Sequence, residues 1–257
     1  MRAMSKRVPQ MGAPRSGMGC KAQGTAIPSG IASTCNAADG PDSGMRTLRG
    51  PGSALPRNTC ITILAKAPVA GFAKTRLIPA LGPEGAARVA TQLLDHTVTE
   101  AVAADLGAVR LLGAPDAAHP AFQAHAARVQ LGAQSGGDLG LRMHTALTEA
   151  LAAHPLALLV GTDAPALDRE RLRSAAKALL RHDAVFVPAL DGGYALIGLR
   201  GQSWPELFKG MTWSTARVMA DTRARLQGLG LSWHELPAVS DIDEPADLVH
   251  VPAEWLA

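Results

Sequence analysis

Aromatic side chains are scarce in this chain: they make up 4% of its 257 residues, whereas 47% are hydrophobic. A core built from it must be aliphatic. Cysteine is equally sparse. Cys20, Cys35 and Cys60 are odd in number and form no CxxC pair. That argues against a disulfide framework or zinc site and fits a reducing cytoplasm. The eight histidines show no HxH or HxxxH spacing, so a histidine metal site is not expected. No apolar run approaches the roughly 18–20 residues of a membrane span, and no membrane partner is expected. Acidic residues are few in 1–58, where eight Lys/Arg face two Asp/Glu, a net +6; the remainder carries 17 basic and 20 acidic residues, a net −3. The pI of about 9.0 belongs to that first segment, and no nucleic-acid partner is inferred from it.

Residues 1–57 are rich in Gly, Pro, Ser, Ala and Met and lack apolar periodicity. Such composition buries too little surface to offset ordering entropy, so a disordered, low-complexity segment is expected. It has no apolar core of a secretory signal, although it is Arg-rich and acid-poor like a transit peptide. An over-called start, with Met45 as a plausible true one, is the plainer expectation. Residues 58–257 are read as a single domain.

From Cys60 onward apolar runs alternate with helical stretches. The spacing predicts a strand at 60–66, a helix near 84–104, and short strands near 108–112 and 129–133. A helix opened by Asp138 runs to about 153. A strand at 156–161 and a helix at 168–181 follow. AVFVPAL and YALIGL read as strands joined by Asp191-Gly192-Gly193. A last helix from about Ser214 to Gly228 or Gly230 precedes a closing strand at 231–236. Alternating strands and helices imply an α/β fold: three layers, with a mainly parallel twisted sheet covered on both faces.

The chemistry gathers past the first strand. CITILA empties into KAPVAGFAKTRL, which places Lys66, Lys74 and Arg76 within eleven residues. Ligands of open α/β sheets bind beyond the carboxyl ends of the strands. Pro68 stiffens the entry and Gly71 permits close backbone approach. Arg offers a planar fork for phosphate oxygens and Lys a point charge, so a polyphosphate is the natural guest. Lys74-Thr75 mimics the end of a P-loop, but Pro68 and Ala73 stand where its glycines belong, and that reading is rejected. Asp163 directly follows the apolar strand LALLVG. It either caps a turn or, beside the cations, holds Mg²⁺ or Mn²⁺ shared with a diphosphate. Asp191, Gly192, Gly193 and Tyr194 form either a plain hairpin turn or a hydroxyl-binding edge. Asp241, Asp243 and Glu244 precede Pro245 as helix-start charges or as metal or acceptor contacts. In GGDLGLRM, Asp138 is an N-cap and Arg142 lies on the first turn.

Together these stretches resemble the bacterial DUF2064 family, described as glycosyltransferases linked to arsenosugar biosynthesis or to radical-SAM selenodomain neighbours. AKAPVAGFAKTRL, GGDLGLRM, VGTDAPAL, PALDGGYALIGL, LFKGMTWSTARV and SDIDEPADL match in order over 61 to about 248. The resemblance implies a GT-A-like nucleotide-diphospho-sugar transferase fold, related to molybdopterin and 2-phospholactate nucleotidylyltransferases. Lys74 to Leu77 would face nucleotide phosphates, and Thr162-Asp163 would stand where such folds hold ribose and divalent metal. The chain departs from the usual DxD pattern, since Asp163 follows Gly161 and Thr162.

The expected function is metal-assisted transfer from a nucleoside-diphospho-sugar to a small acceptor. Lys66, Pro68, Gly71, Lys74, Arg76 and Thr162 would bind nucleotide, and Asp163 and Asp243 the metal. Lys74 and Arg76 would also neutralise the leaving diphosphate, and Asp191 would act as base. Asp138, Arg142, Gly192, Gly193 and Tyr194 would contact sugar or acceptor. The alternatives are nucleotidyl transfer from an NTP with release of pyrophosphate, and nucleotide binding without turnover.

Overall fold

Buried apolar residues on alternating positions of the first strand settle the layering. The computed structural model describes residues 57–256. In β1 (Thr59–Lys66), Ile61, Ile63 and Ala65 pack into one aliphatic cluster with Leu94 and Val98 of α1 (Ile78–Ala103) and Leu172 and Leu179 of α4 (Arg169–Leu179). Cys60 faces the other way. It joins Met143 and Leu147 of α3 (Leu139–Ala153) and Met219 and Leu226 of α5 (Val218–Gly228). Period-two alternation thus sends successive side chains into two helical layers. The three-layer α/β architecture read from the sequence is the observed one.

The remaining elements are β2 (Val109–Ala114), the four-residue α2 (Pro120–Gln123), β3 (Gln130–Ala133), β4 (Leu156–Val160), β5 (Ala184–Pro188), β6 (Tyr194–Arg200) and β7 (Trp233–Glu235). They form one seven-stranded sheet in the order β3-β2-β1-β4-β6-β5-β7. Every pairing is parallel except those of β6, which runs antiparallel to both β4 and β5. The chain moves outward from β1 through β2 to β3, then returns to lay β4 on the other side of β1. That reversal is a topological switch point, and a crevice opens there beyond the strand ends.

Two helix starts differ from the sequence reading by more than two residues. α1 begins at Ile78, not near residue 84, because it kinks at Gly82 (φ 70, ψ 169) and resumes after Pro83. α5 begins at Val218, and Ser214 is no N-cap: it lies at φ 59, inside a turn closed by the Thr215 hydroxyl on Thr212 O at 2.9 Å. The disorder expected for 1–57 falls outside the described residues, Arg57 excepted. That side chain pairs with Asp105 at 2.6 Å on the surface. No helix among the described residues is long and apolar enough to cross a membrane.

Candidate functional site

The loop after β1 is folded on itself. Phe72 N and Ala73 N both donate to Val69 O, at 3.0 and 2.9 Å. Lys66 Nζ reaches back to Phe72 O at 2.8 Å, and Leu77, fully buried, anchors the far end. Ala73 is buried too, which explains a Cβ where a phosphate cradle would need glycine. Between these anchors Lys74 adopts a left-handed conformation, φ 47 and ψ 45, unusual for a residue with a Cβ and costing about 1–2 kcal/mol. It turns the side chain under the loop, where it is only 10% exposed.

There the ammonium meets two carboxylates. Lys74 Nζ donates to Asp163 Oδ1 and, at 2.9 Å, to Asp243 Oδ1. Burial alone would pull the ammonium pKa down. The charges and hydrogen bonds of Asp163 and Asp243 more than reverse this and hold it above the usual lysine value. Arg76, 67% exposed, lies 3.9 Å from Asp243 and 4.0 Å from Glu244. The segment 239–243 reaches this place by pairing with the end of β5, since Val239 N donates to Pro188 O, and with β4's exit, since Ile242 N donates to Asp163 O at 2.8 Å.

Asp241 completes the acidic side. Its Oδ1 is buried without a hydrogen-bond partner. Burial first, then the charges of Asp163, Asp191 and Asp243, push its pKa up to about 7, with Lys74 partly opposing them. Among the described residues no group of three or more His, Cys, Asp or Glu side chains is spaced to hold a metal. What exists is a pair of carboxylates converging on one cationic centre. That donor set fits a hard divalent ion taking its other ligands from phosphate and water.

A cavity of ≈ 560 Å³ opens over the switch point. Lys66, Lys74, Arg76, Thr162, Asp163 and Asp243 all line it, as does Arg142. Other sequence-nominated residues lie elsewhere. Pro68 and Gly71 belong to the loop but not to the cavity wall, and Gly71 has φ 79. Asp138 caps α3 by accepting from Leu141 N at 2.8 Å. Asp191 accepts from Gly193 N at 2.8 Å, closing the β5–β6 turn. Gly192 (φ +92) has a structural reason to be glycine: a Cβ there would stand 2.2 Å from Ala216 O. Tyr194 packs edge-on against Phe186 and Trp213, and burial pushes its phenol pKa up.

Several cavity residues were not nominated from the sequence, and three of them have side chains of note. Gln134 follows β3, Leu139 opens α3, and Phe72 sits in the cationic loop. Phe72 stands apart in the structure. In a chain with four phenylalanines, Phe122, Phe186 and Phe208 are at most 2% exposed and Phe72 is 68% exposed.

Residues 97–215 match the family model described as an uncharacterized protein conserved in bacteria, DUF2064. GGDLGLRM, VGTDAPAL and PALDGGYALIGL lie inside that span, whereas the cationic loop and SDIDEPADL lie outside it. The fold is similar to a Desulfovibrio desulfuricans G20 protein provisionally described as a nucleotide-diphospho-sugar transferase. The identity is 28% and the TM-score 0.69, over 77% of this chain and 87% of that one. It is also similar to a Methanothermobacter nucleotidyl transferase (13% identity, TM-score 0.51, 77% and 97% covered). A third likeness is to 4-diphosphocytidyl-2C-methyl-D-erythritol synthase of Anaerococcus prevotii DSM 20548 (10%, 0.51, 77% and 98%). The last two likenesses establish the fold alone. No curated protein matches the chain.

Proposed function

We propose that this protein is a transferase that uses a nucleoside-diphospho-sugar and delivers the sugar to a small-molecule acceptor. One observation carries the reading: a single cavity at the switch point is lined by Lys66, Lys74 and Arg76 together with Asp163 and Asp243. A diphosphate uses both signs. Its oxygens would take the cations, and Asp163 and Asp243 would hold Mg²⁺ or Mn²⁺ for it. The likeness to the Desulfovibrio protein, at 28% identity, supports the same substrate class.

The chain's own residues have distinct tasks. Lys74, placed by its left-handed backbone and held by Asp163 and Asp243, brings an ammonium to the wall that would face the diphosphate. Arg76 supplies an exposed fork from the rim. Thr162, at the end of β4, offers a hydroxyl to ribose or phosphate. Donors aimed in advance at developing negative charge contribute several kcal/mol of transition-state stabilisation. Asp163 and Asp243 would hold the divalent ion, which would supply Lewis-acid neutralisation of the leaving group.

The test measures affinity for nucleoside diphosphates with Mg²⁺ and with EDTA, in wild type and Asp163→Asn, and identifies the product released from nucleotide-sugars and from NTPs. Asp163→Asn is expected to fold, to lose the metal-dependent gain in affinity, and to release no NDP. An equal gain in both proteins removes Asp163 from the metal site. Pyrophosphate released from an NTP replaces sugar transfer with nucleotidyl transfer. Binding with no product in either assay leaves a nucleotide-binding module.

A further inference from the structure

A second cavity, of ≈ 640 Å³, is lined by none of the cationic-loop residues. Three parts of the chain build it. α1 gives His96, the exit of β4 gives Pro165 and Ala166, and the last stretch gives Ser240, Glu254 and Trp255. Its size is that of a small-molecule site. The first cavity carries cations, but no Lys or Arg lines this one, and Glu254 is its one carboxylate. Among the described residues no cation pairs with Glu254, whereas Glu100 and Glu235 are taken by Arg169 and Arg223. His96 is oriented: its Nε2 meets Pro165 O at 2.8 Å. A carbonyl only accepts, so Nε2 carries the hydrogen, and the neutral ring keeps its lone pair on Nδ1.

The Trp255 ring packs against His96, with centres 5.4 Å apart and planes tilted by 59°, and the prolines at 165 and 252 extend the apolar floor. An anion finds no fixed positive charge here. An ammonium finds a carboxylate, an imidazole lone pair, the Ser240 hydroxyl and an indole, the aromatic side chain that holds cations best. Position adds to the chemistry. Pro165 and Ala166 stand two and three residues past Asp163, and Ser240 stands three before Asp243. The two segments are tied, since Ile242 N donates to Asp163 O at 2.8 Å. A ligand seated against 165–166 and 240 therefore bears on the backbone that aims both carboxylates at Lys74.

We propose that this second cavity binds a small organic ammonium ion with an apolar body, and that its occupancy is transmitted along 163–166 and 240–243 to the acids of the first cavity. Glu254 supplies the counter-charge and Trp255 the face against which the apolar body packs. Neither part requires the nucleotide reading of the first cavity.

The test titrates 2-phenylethylamine, and 3-phenylpropionate as an anion of like shape, into nitrogen-15-labelled full chain at about pH 7.5, where a free imidazole is largely neutral. It follows the Trp255 indole and the backbone amides of Ile242 and Asp243. The amine is expected to saturate all three signals at one midpoint, and the carboxylate to move none of them. Glu254→Gln should raise the amine's midpoint about threefold to fivefold, the worth of an exposed ion pair. Trp255→Leu, read on the amides, should raise it by at least about threefold. Trp255→Phe, which keeps a ring against His96, serves in its place with a smaller rise if Trp255→Leu melts early. Equal binding of amine and carboxylate, or an unchanged midpoint in Glu254→Gln, overturns the charge assignment. No saturable shift with the amine removes the site. Saturation at Trp255 with Ile242 and Asp243 unmoved refutes the transmission to the acids.

Discussion

Replacing Lys74 by Met removes an ammonium from between two acids while keeping an apolar stem. Asp163 Oδ1 and Asp243 Oδ1 both bond the same Nζ, so the carboxylates lie about 5 Å apart, and their repulsion at an effective dielectric of 20 is about 3 kcal/mol. Both are nearly half exposed, 48% and 49%, and solvent screening takes back roughly half. The unpartnered Asp241 adds to the repulsion. The expected cost is about 2 kcal/mol of folding stability in EDTA at neutral pH. The sign in pH follows from the raised lysine pKa: the contribution is full below the unfolded value of about 10.4 and disappears as pH climbs through the higher folded value. Urea unfolding of both proteins, with and without saturating Mg²⁺, measures it. The ion should restore more stability to Lys74→Met than to wild type, because it supplies the charge that the variant lacks. A variant as stable as wild type in EDTA would show that the ammonium is not what holds these acids together, and the electrostatic account of the site would be wrong.

Arg76→Ala should weaken nucleoside-diphosphate binding by about 1.5–3 kcal/mol with no change in melting temperature, and Arg76→Lys should recover only part of it; unchanged affinity returns Arg76 to the solvated surface. Glu100, held near pKa 2 by the hydrogen bonds of Arg169, stabilises the fold above its unfolded pKa and ceases to do so as pH falls through about 2. Glu100→Gln should therefore lower the urea midpoint at pH 7 and converge on wild type toward pH 3 and below; a constant gap would refute the linkage. Gly192→Ala should cost at least about 2 kcal/mol, since its Cβ meets Ala216 backbone at a positive φ; near-wild-type melting would point to a turn that yields.

The sheet was legible because its central strands, β1, β4, β5 and β6, are largely apolar runs closed by turn residues, and the site because its cations follow β1 and its first acid follows β4. Both signals are local. Lys74 was nominated for its charge, but its side-chain direction depends on a left-handed backbone that no residue type announced. Asp191 and Gly192 read equally well as ligand contacts or as a turn. Only packing against Ala216 supplied a structural reason for the glycine. Gln134 was invisible because a lone glutamine after a short strand has no pattern; its meaning lies in two carbonyls belonging to other strands, those of Ala65 and Leu112. Ser214 failed as an N-cap because it lies at φ 59 in the turn that the Thr215 hydroxyl closes on Thr212 O, four residues before α5 begins.

The acids of the site come together late in the life of the chain. Lys74 is separated from Asp163 by 89 positions and from Asp243 by 169, and Asp243 arrives on a segment that follows all seven strands. Contacts so distant along the sequence close slowly, because the loop entropy must be overcome first. During synthesis from the N-terminal end, β1 to β4 can pair and bury their aliphatic faces with Lys74 and Asp163 already in reach of each other. The second carboxylate is still missing then. Docking of 239–243 against the ends of β5 and β4 therefore brings in the last of the two carboxylates that meet Lys74.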